Sequence, residues 1–189
     1  NRSQAQVMGA LSDNSSYQPQ AANQEYCIPG DSTSCAAPVG EWKFEEGSGS
    51  SAYDTTGGNG TGTITGATYR PGKFGKALNF AGGSDTVSVS NSLSTKTVSF
   101  WVNPATTTQK LIDLRTAATA ANISVSGGTV TANGFDTIYV NGVVNGTITA
   151  NAWNFVEITT GTAITANAIQ FGRISGTSLT GKLDSIQNF

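Results

Sequence analysis

From Val39 to Phe189 the chain repeats one arrangement: short runs in which apolar and polar residues alternate, broken by Gly, Asn, Asp and Pro. In DTVSVS, Val87 and Val89 fall on one side and Thr86, Ser88 and Ser90 on the other. In TVSFWV, Val98, Phe100 and Val102 alternate with Thr97, Ser99 and Trp101. A period of two marks a strand with one buried side. DTIYVNGVVNG reads as two strands around Asn141-Gly142, a pair suited to a type I′ hairpin turn, and further Asn-Gly pairs stand at Asn59, Asn133 and Asn145. Helical periodicity is nearly absent. Its best candidate, TAATAAN at Thr116–Asn122, reads equally as a loop. Many short strands with closely spaced turns predict an all-β fold, an antiparallel sandwich of the jelly-roll kind. The expected core is Trp42, Phe44, Leu78, Phe80, Val87, Val89, Val98, Phe100, Ile138, Val140, Val156, Ile158, Phe171 and Ile186.

Residues 1–38 do not share this pattern. They hold Pro19, Pro29 and Pro38, and the stretch Asn1–Gln24 offers only Val7, Met8, Leu11 and Tyr17 as sizeable apolar groups. Such a segment cannot offset its own ordering entropy by burial. The expected organisation is an extended arm and linker over 1–38 and a sandwich over 39–189. An edge strand of a sandwich needs covering, and QAQVMGALS is suited to that role. In extended form Ala5, Val7, Gly9 and Leu11 face one way, with Val7 and Leu11 as the anchors. The polar linker 13–26 spans about 45 Å when extended, enough to reach a second copy. Docking on a neighbour is head-to-tail and propagates into a filament, as in donor-strand exchange. Docking on the chain's own sandwich is the alternative. Cys27 and Cys35 enclose IPGDSTS, a loop that a Pro-Gly turn closes easily. In an exported protein a disulfide is expected, and two free thiols are the alternative.

Composition narrows the function. Charged residues make up 12% and the formal net charge is −2, so there is no basic field for nucleic acid. No apolar run is long enough for a membrane helix. The chain begins at Asn1 without a leader-like segment, which suits a processed or partial chain. There is no histidine, which removes His-based acid–base catalysis and the common His metal sites. Adjacent Glu45 and Glu46 would point to opposite faces of a strand, and Glu157 is the sole acid in Trp153–Thr160. Neither supplies the paired carboxylates of a glycanase. No enzyme activity is expected, and no cofactor is required.

Several segments, in order, resemble a LamG-like jelly roll of the concanavalin A-like lectin/glucanase group. They are VGEWKFEEGSGSSAYDTTGGNGTGTI, RPGKFGKALNFAGGSDTVSV, TVSFWVNP, DTIYVNGVV, NAWNFVEIT, AIQFGR and GKLDSIQNF. The resemblance covers about residues 39–189. Asn154 stands where the family often has His, and residues 1–38 have no counterpart in it. The resemblance implies that Trp42, Trp101 and Trp153 are core residues, leaving Tyr53, Tyr69 and Tyr139 as surface platforms. It also implies a structural calcium site on the last strand, at Asp184, with Glu45, Asp54 and Asp85 as candidate partners. Asp184 stands two residues before Ile186, so a regular strand turns it toward the interior. The alternative is that these acids cap turns or face water.

Five N-x-S/T sequons, at Asn1, Asn14, Asn59, Asn122 and Asn145, are candidate glycosylation sites if the host modifies exported proteins. Together these features favour a non-catalytic extracellular structural protein, a self-assembling subunit of a pilus-like surface filament. The alternative is a glycan-binding lectin or adhesion module, and a passive spacer in a larger surface protein is a third reading.

Overall fold

The computed structural model describes residues 37–57, 60–114 and 121–189. The chain divides into two units, residues 1–37 and Pro38–Phe189, and the second is the one described. Its strands in chain order are β1 (Gly40–Trp42), β2 (Ser51–Ala52), β3 (Gly62–Thr65), β4 (Thr68–Pro71), β5 (Lys76–Ala81) and β6 (Thr86–Val89). They continue with β7 (Leu93–Pro104), β8 (Gln109–Asp113), β9 (Asn122–Ser126), β10 (Thr129–Ala132), β11 (Thr137–Val140) and β12 (Val143–Val144). The last are β13 (Asn154–Ala166), β14 (Ile169–Phe171), β15 (Arg173–Ile174), β16 (Thr177–Ser178) and β17 (Thr180–Asn188).

Every pairing is antiparallel, and no helix occurs among the described residues. The larger sheet runs β12-β11-β13-β7-β17-β5-β4, with β1 also paired to β17. The smaller runs β10-β9-β8-β14-β6-β3-β2, and β15 and β16 form a separate ribbon. The molecule is a β-sandwich, as the alternation predicts. Asn141 and Gly142 both take positive φ, 53° and 79°, between the paired residues Val140 and Val143. That is the predicted two-residue hairpin turn.

The core lies between the sheets. All the predicted core residues are buried except Ile138, which is half-buried and packs against the cluster. Trp42 meets Phe171 of the smaller sheet edge-on, with ring centroids 4.9 Å apart. Phe44 meets the same ring at 6.4 Å. Phe44 is fully buried at a φ of 59°, a backbone state that bulky residues rarely adopt. Packing on Phe171 holds it there against a cost of about 1–3 kcal/mol. Gly172, at φ 75°, lies so close to the Phe80 ring that a Cβ would collide with it.

Two of the three tryptophans are not core residues. Trp101 is half-buried on the outside of the larger sheet, and Trp153 is half-buried just before β13. The reason is strand phase. Val98, Phe100 and Val102 take the inward positions of β7, and Asn154, Val156 and Ile158 take those of β13. Buried Asn154 is fully satisfied. Its amide nitrogen donates to the carbonyls of Thr149 and Ala152 at 2.9 and 2.8 Å, and its oxygen accepts from the Thr149 amide at 3.0 Å. Of TAATAAN, only Ala121 and Asn122 lie among the described residues, and Asn122 opens β9.

Candidate functional site

Cross-strand partners share a face, so the registers fix what the outer face of the larger sheet presents. One row runs Tyr139, Glu157, Ser99, Gln187 and Glu41 across β11, β13, β7, β17 and β1. The adjacent row runs Phe155, Trp101 and Asp184. The first row is polar and bonded at one end. Ser99 Oγ donates to Gln187 Oε1 at 3.4 Å, and Gln187 Nε2 donates to Glu41 Oε1 at 2.8 Å. Glu41 also accepts from Thr55 Oγ1 and lies 3.5 Å from Lys43 Nζ.

The second row is aromatic. Trp101 lies 5.2 Å from Phe155 and 5.8 Å from Phe74, which meets it edge-on at 84°. The Lys73 ammonium stands 4.6 Å from the Trp101 ring centre. Phe74 is 55% exposed, so the row has an apolar end open to solvent.

Phe74 and Lys73 belong to the Gly72–Gly75 turn between β4 and β5, and two carboxylates hold this turn. Asp184 Oδ2 accepts from the amides of Lys73 and Phe74 at 2.8 and 3.0 Å, and its Oδ1 accepts from Ser185 Oγ at 2.9 Å. Both Glu45 oxygens accept from the Lys76 amide at 3.1 Å. Gly72 approaches so closely that a Cβ would sit 2.6 Å from Asp184 Oδ2. Burial raises the Asp184 pKa above the usual carboxylate range; the three hydrogen bonds oppose that shift, and neighbouring Glu45 adds to it.

Asp184 is buried, but beneath this turn on the outer face and not between the sheets. The expected inward orientation fails because Ser185, at φ 49°, interrupts the strand and shifts its register. Leu183 and Ile186 face the core on either side of this irregularity.

Of the four carboxylates expected around calcium, Asp184 and Glu45 are electrostatic neighbours. Asp54 sits elsewhere, accepting from the amides of Glu41 and Thr56 and from Thr56 Oγ1. Asp85 accepts from the Ala81 amide at 2.7 Å, closing the β5–β6 turn. Among the described residues no group of three or more acidic, His or Cys side chains is arranged to hold a metal.

The tyrosines separate as well. Tyr53 is exposed. Tyr69 donates its hydroxyl to the Ser51 carbonyl and to Glu46 at 2.9 and 3.1 Å, and burial followed by the Glu46 charge raises its pKa. Tyr139 lines a cleft on the outer face. Among the sequons, Asn145 is exposed at φ 52°, whereas Asn122 is half-buried and accepts from the Asn133 side chain at 3.2 Å. Val7, Leu11, Cys27, Cys35, Asn1, Asn14 and Asn59 lie outside the described residues.

Sequence reasoning missed the aromatic row as a site, although the alternation of TVSFWV already set Trp101 opposite the core. The role of the PGKFGK turn had no local signal, because its partners Asp184 and Glu45 lie 110–111 and 31 residues away along the chain. No helix among the described residues is long and apolar enough to cross a membrane. In comparisons with known proteins, no family model, curated protein or solved structure matches the chain.

Proposed function

We propose that this protein is a non-catalytic extracellular subunit of a pilus-like surface filament, in which the arm of one copy docks on the sandwich of the next. The observation that carries the reading is the edge of the larger sheet. Its terminal strand β12 is only Val143–Val144, and the two valines are 60% and 55% exposed. Natural sheets blunt such an edge with charge, Pro, a covering segment or a very short strand; β12 has the last of these, and what it leaves open is its two valine side chains. Two exposed valines on an edge unpaired among the described residues suit an added strand, and QAQVMGALS supplies small apolar residues at alternate positions. The low charge and the Thr, Ser, Gly and Asn content support the same reading. A structural calcium ion would draw on Asp184 and Glu45, the two candidates that are electrostatic neighbours, and a glycan on Asn145 would lie next to β12.

Electron microscopy of the native material tests this reading. Fibres that disappear when residues 1–12 are deleted are the expected result. A strictly monomeric native protein, or fibres unchanged by the deletion, would contradict it.

The second reading is a glycan-binding module, and the row Phe74, Trp101 and Phe155 favours it. Aromatic rings stack on the apolar side of sugars; Phe74 is the exposed ring of this row, and Lys73 adds a donor beside it. A glycan array probed with the protein tests it. Binding at micromolar affinity that Trp101→Ala abolishes supports this reading, and absence of binding rejects it.

A further inference from the structure

At the β11–β13 end of the outer face a cleft of about 220 Å³ is lined by Tyr139, Gly142, Phe155, Glu157 and Thr159. Phe155, Glu157 and Thr159 stand at alternate positions of β13, so they rise from the same side of the sheet. Tyr139 is the cross-strand partner of Glu157. Gly142, in the β11–β12 turn, adds no side chain to the wall. Glu157 is half-buried, and its carboxylate makes no hydrogen bond or ion pair among the described residues. The row it belongs to is otherwise bonded from Ser99 to Glu41.

We propose that this cleft is a receptor for the arginine side chain of a protein partner. Three features select that chemistry. The volume is below the roughly 300–1,000 Å³ of small-molecule sites, so it suits one side chain and not an oligosaccharide or cofactor. The lining carries a single charge, negative and uncommitted among the described residues, with two aromatic residues beside it. A guanidinium is planar, stacks on rings and forks onto a carboxylate, which a hydrated ammonium does less well. The same face already holds a cation on an aromatic ring, since Lys73 lies over Trp101. The inference does not depend on the filament reading, because any partner that presents an arginine at this face would use the cleft.

The test uses the isotope-labelled full chain and a capped Gly-Arg-Gly peptide, followed by amide chemical shifts. Its citrulline counterpart keeps the planar shape without the charge. The arginine peptide should move the amides around Tyr139, Gly142, Phe155 and Glu157 saturably, with weak millimolar affinity. Citrulline should bind about tenfold more weakly or worse. Glu157→Gln should remove the response while leaving the remaining spectrum in place. Raising the salt should weaken the arginine complex. Equal binding of citrulline, or an unaltered response in Glu157→Gln, overturns the proposal. So does a saturable response at these amides to a neutral methyl glycoside but not to arginine, which assigns the cleft to sugar. The citrulline comparison is made on the wild-type protein and stands even if the variant folds poorly.

Discussion

The two faces of the larger sheet are made by the same strands and do different work. On β7, Val98, Phe100 and Val102 face the core and are fully buried, while Ser99, Trp101 and Asn103 face out. On the inner side the rule is volume: side chains fill the gap between sheets, and Trp42 and Phe44 both close on Phe171. On the outer side the rule is pairing. An aromatic row is covered by a turn that Asp184 and Glu45 hold through main-chain amides. Inner residues are constrained by neighbours on every side, whereas outer ones keep open positions such as the Glu157 carboxylate and the exposed ring of Phe74. The scaffold therefore lies inside, and the side chains left open lie outside.

The largest expected effect is on the inner face. Phe100→Ala should lower stability by about 3–5 kcal/mol, read by denaturant unfolding, because the cavity it leaves cannot collapse. Trp101→Ala, its outward neighbour, should cost about 1–2 kcal/mol, the loss of one aromatic pair and one cation–π contact. Equal costs for the two would erase the distinction between the faces.

Asp184→Ala should cost about 1–3 kcal/mol, because it removes the carboxylate that accepts from the amides of Lys73 and Phe74 and from Ser185. It should also raise hydrogen exchange at those two amides. Asp184→Asn keeps an acceptor and sharpens the comparison through pH. Burial raises the folded pKa of Asp184, so the native state holds this proton more tightly than the unfolded chain does. The associated stability is full below the ordinary carboxyl pKa and is lost as pH rises through the raised folded value. Asp184→Asn should therefore gain stability relative to the wild type as pH rises from about 4 to 7. Paired thermal melts across that range check the sign, and a variant that loses stability relative to the wild type as pH rises contradicts it.

How much of this was legible in the sequence differs by face. The inner face was readable because strand alternation is local, so Val87, Val98, Val156 and their neighbours declare themselves within a few residues. Asn141-Gly142 announced its turn for the same reason. The outer face was not readable, because its geometry depends on register between distant segments. Phe155, Trp101 and Asp184 come from three strands, and nothing near any of them names the others. The irregularity at Ser185 also moved Asp184 to the face opposite the one a regular strand gives. Trp101 shows the two kinds of inference in conflict: resemblance set it in the core, while the period of two set it outside, where it is. The contiguous buried run Leu111, Ile112, Asp113 and Leu114 escaped a pattern search because it does not alternate.

The central proposal is that the β12 edge of the larger sheet, unpaired among the described residues, takes the arm of the next subunit. The smallest expected change in stability tests it most directly. Val143→Ser combined with Val144→Ser alters two exposed side chains and should change unfolding stability by less than about 0.5 kcal/mol each. Electron microscopy of this variant beside the wild type, at equal concentration, is the measurement. The account predicts folded subunits that no longer form fibres. Fibres of unchanged length and abundance would contradict it.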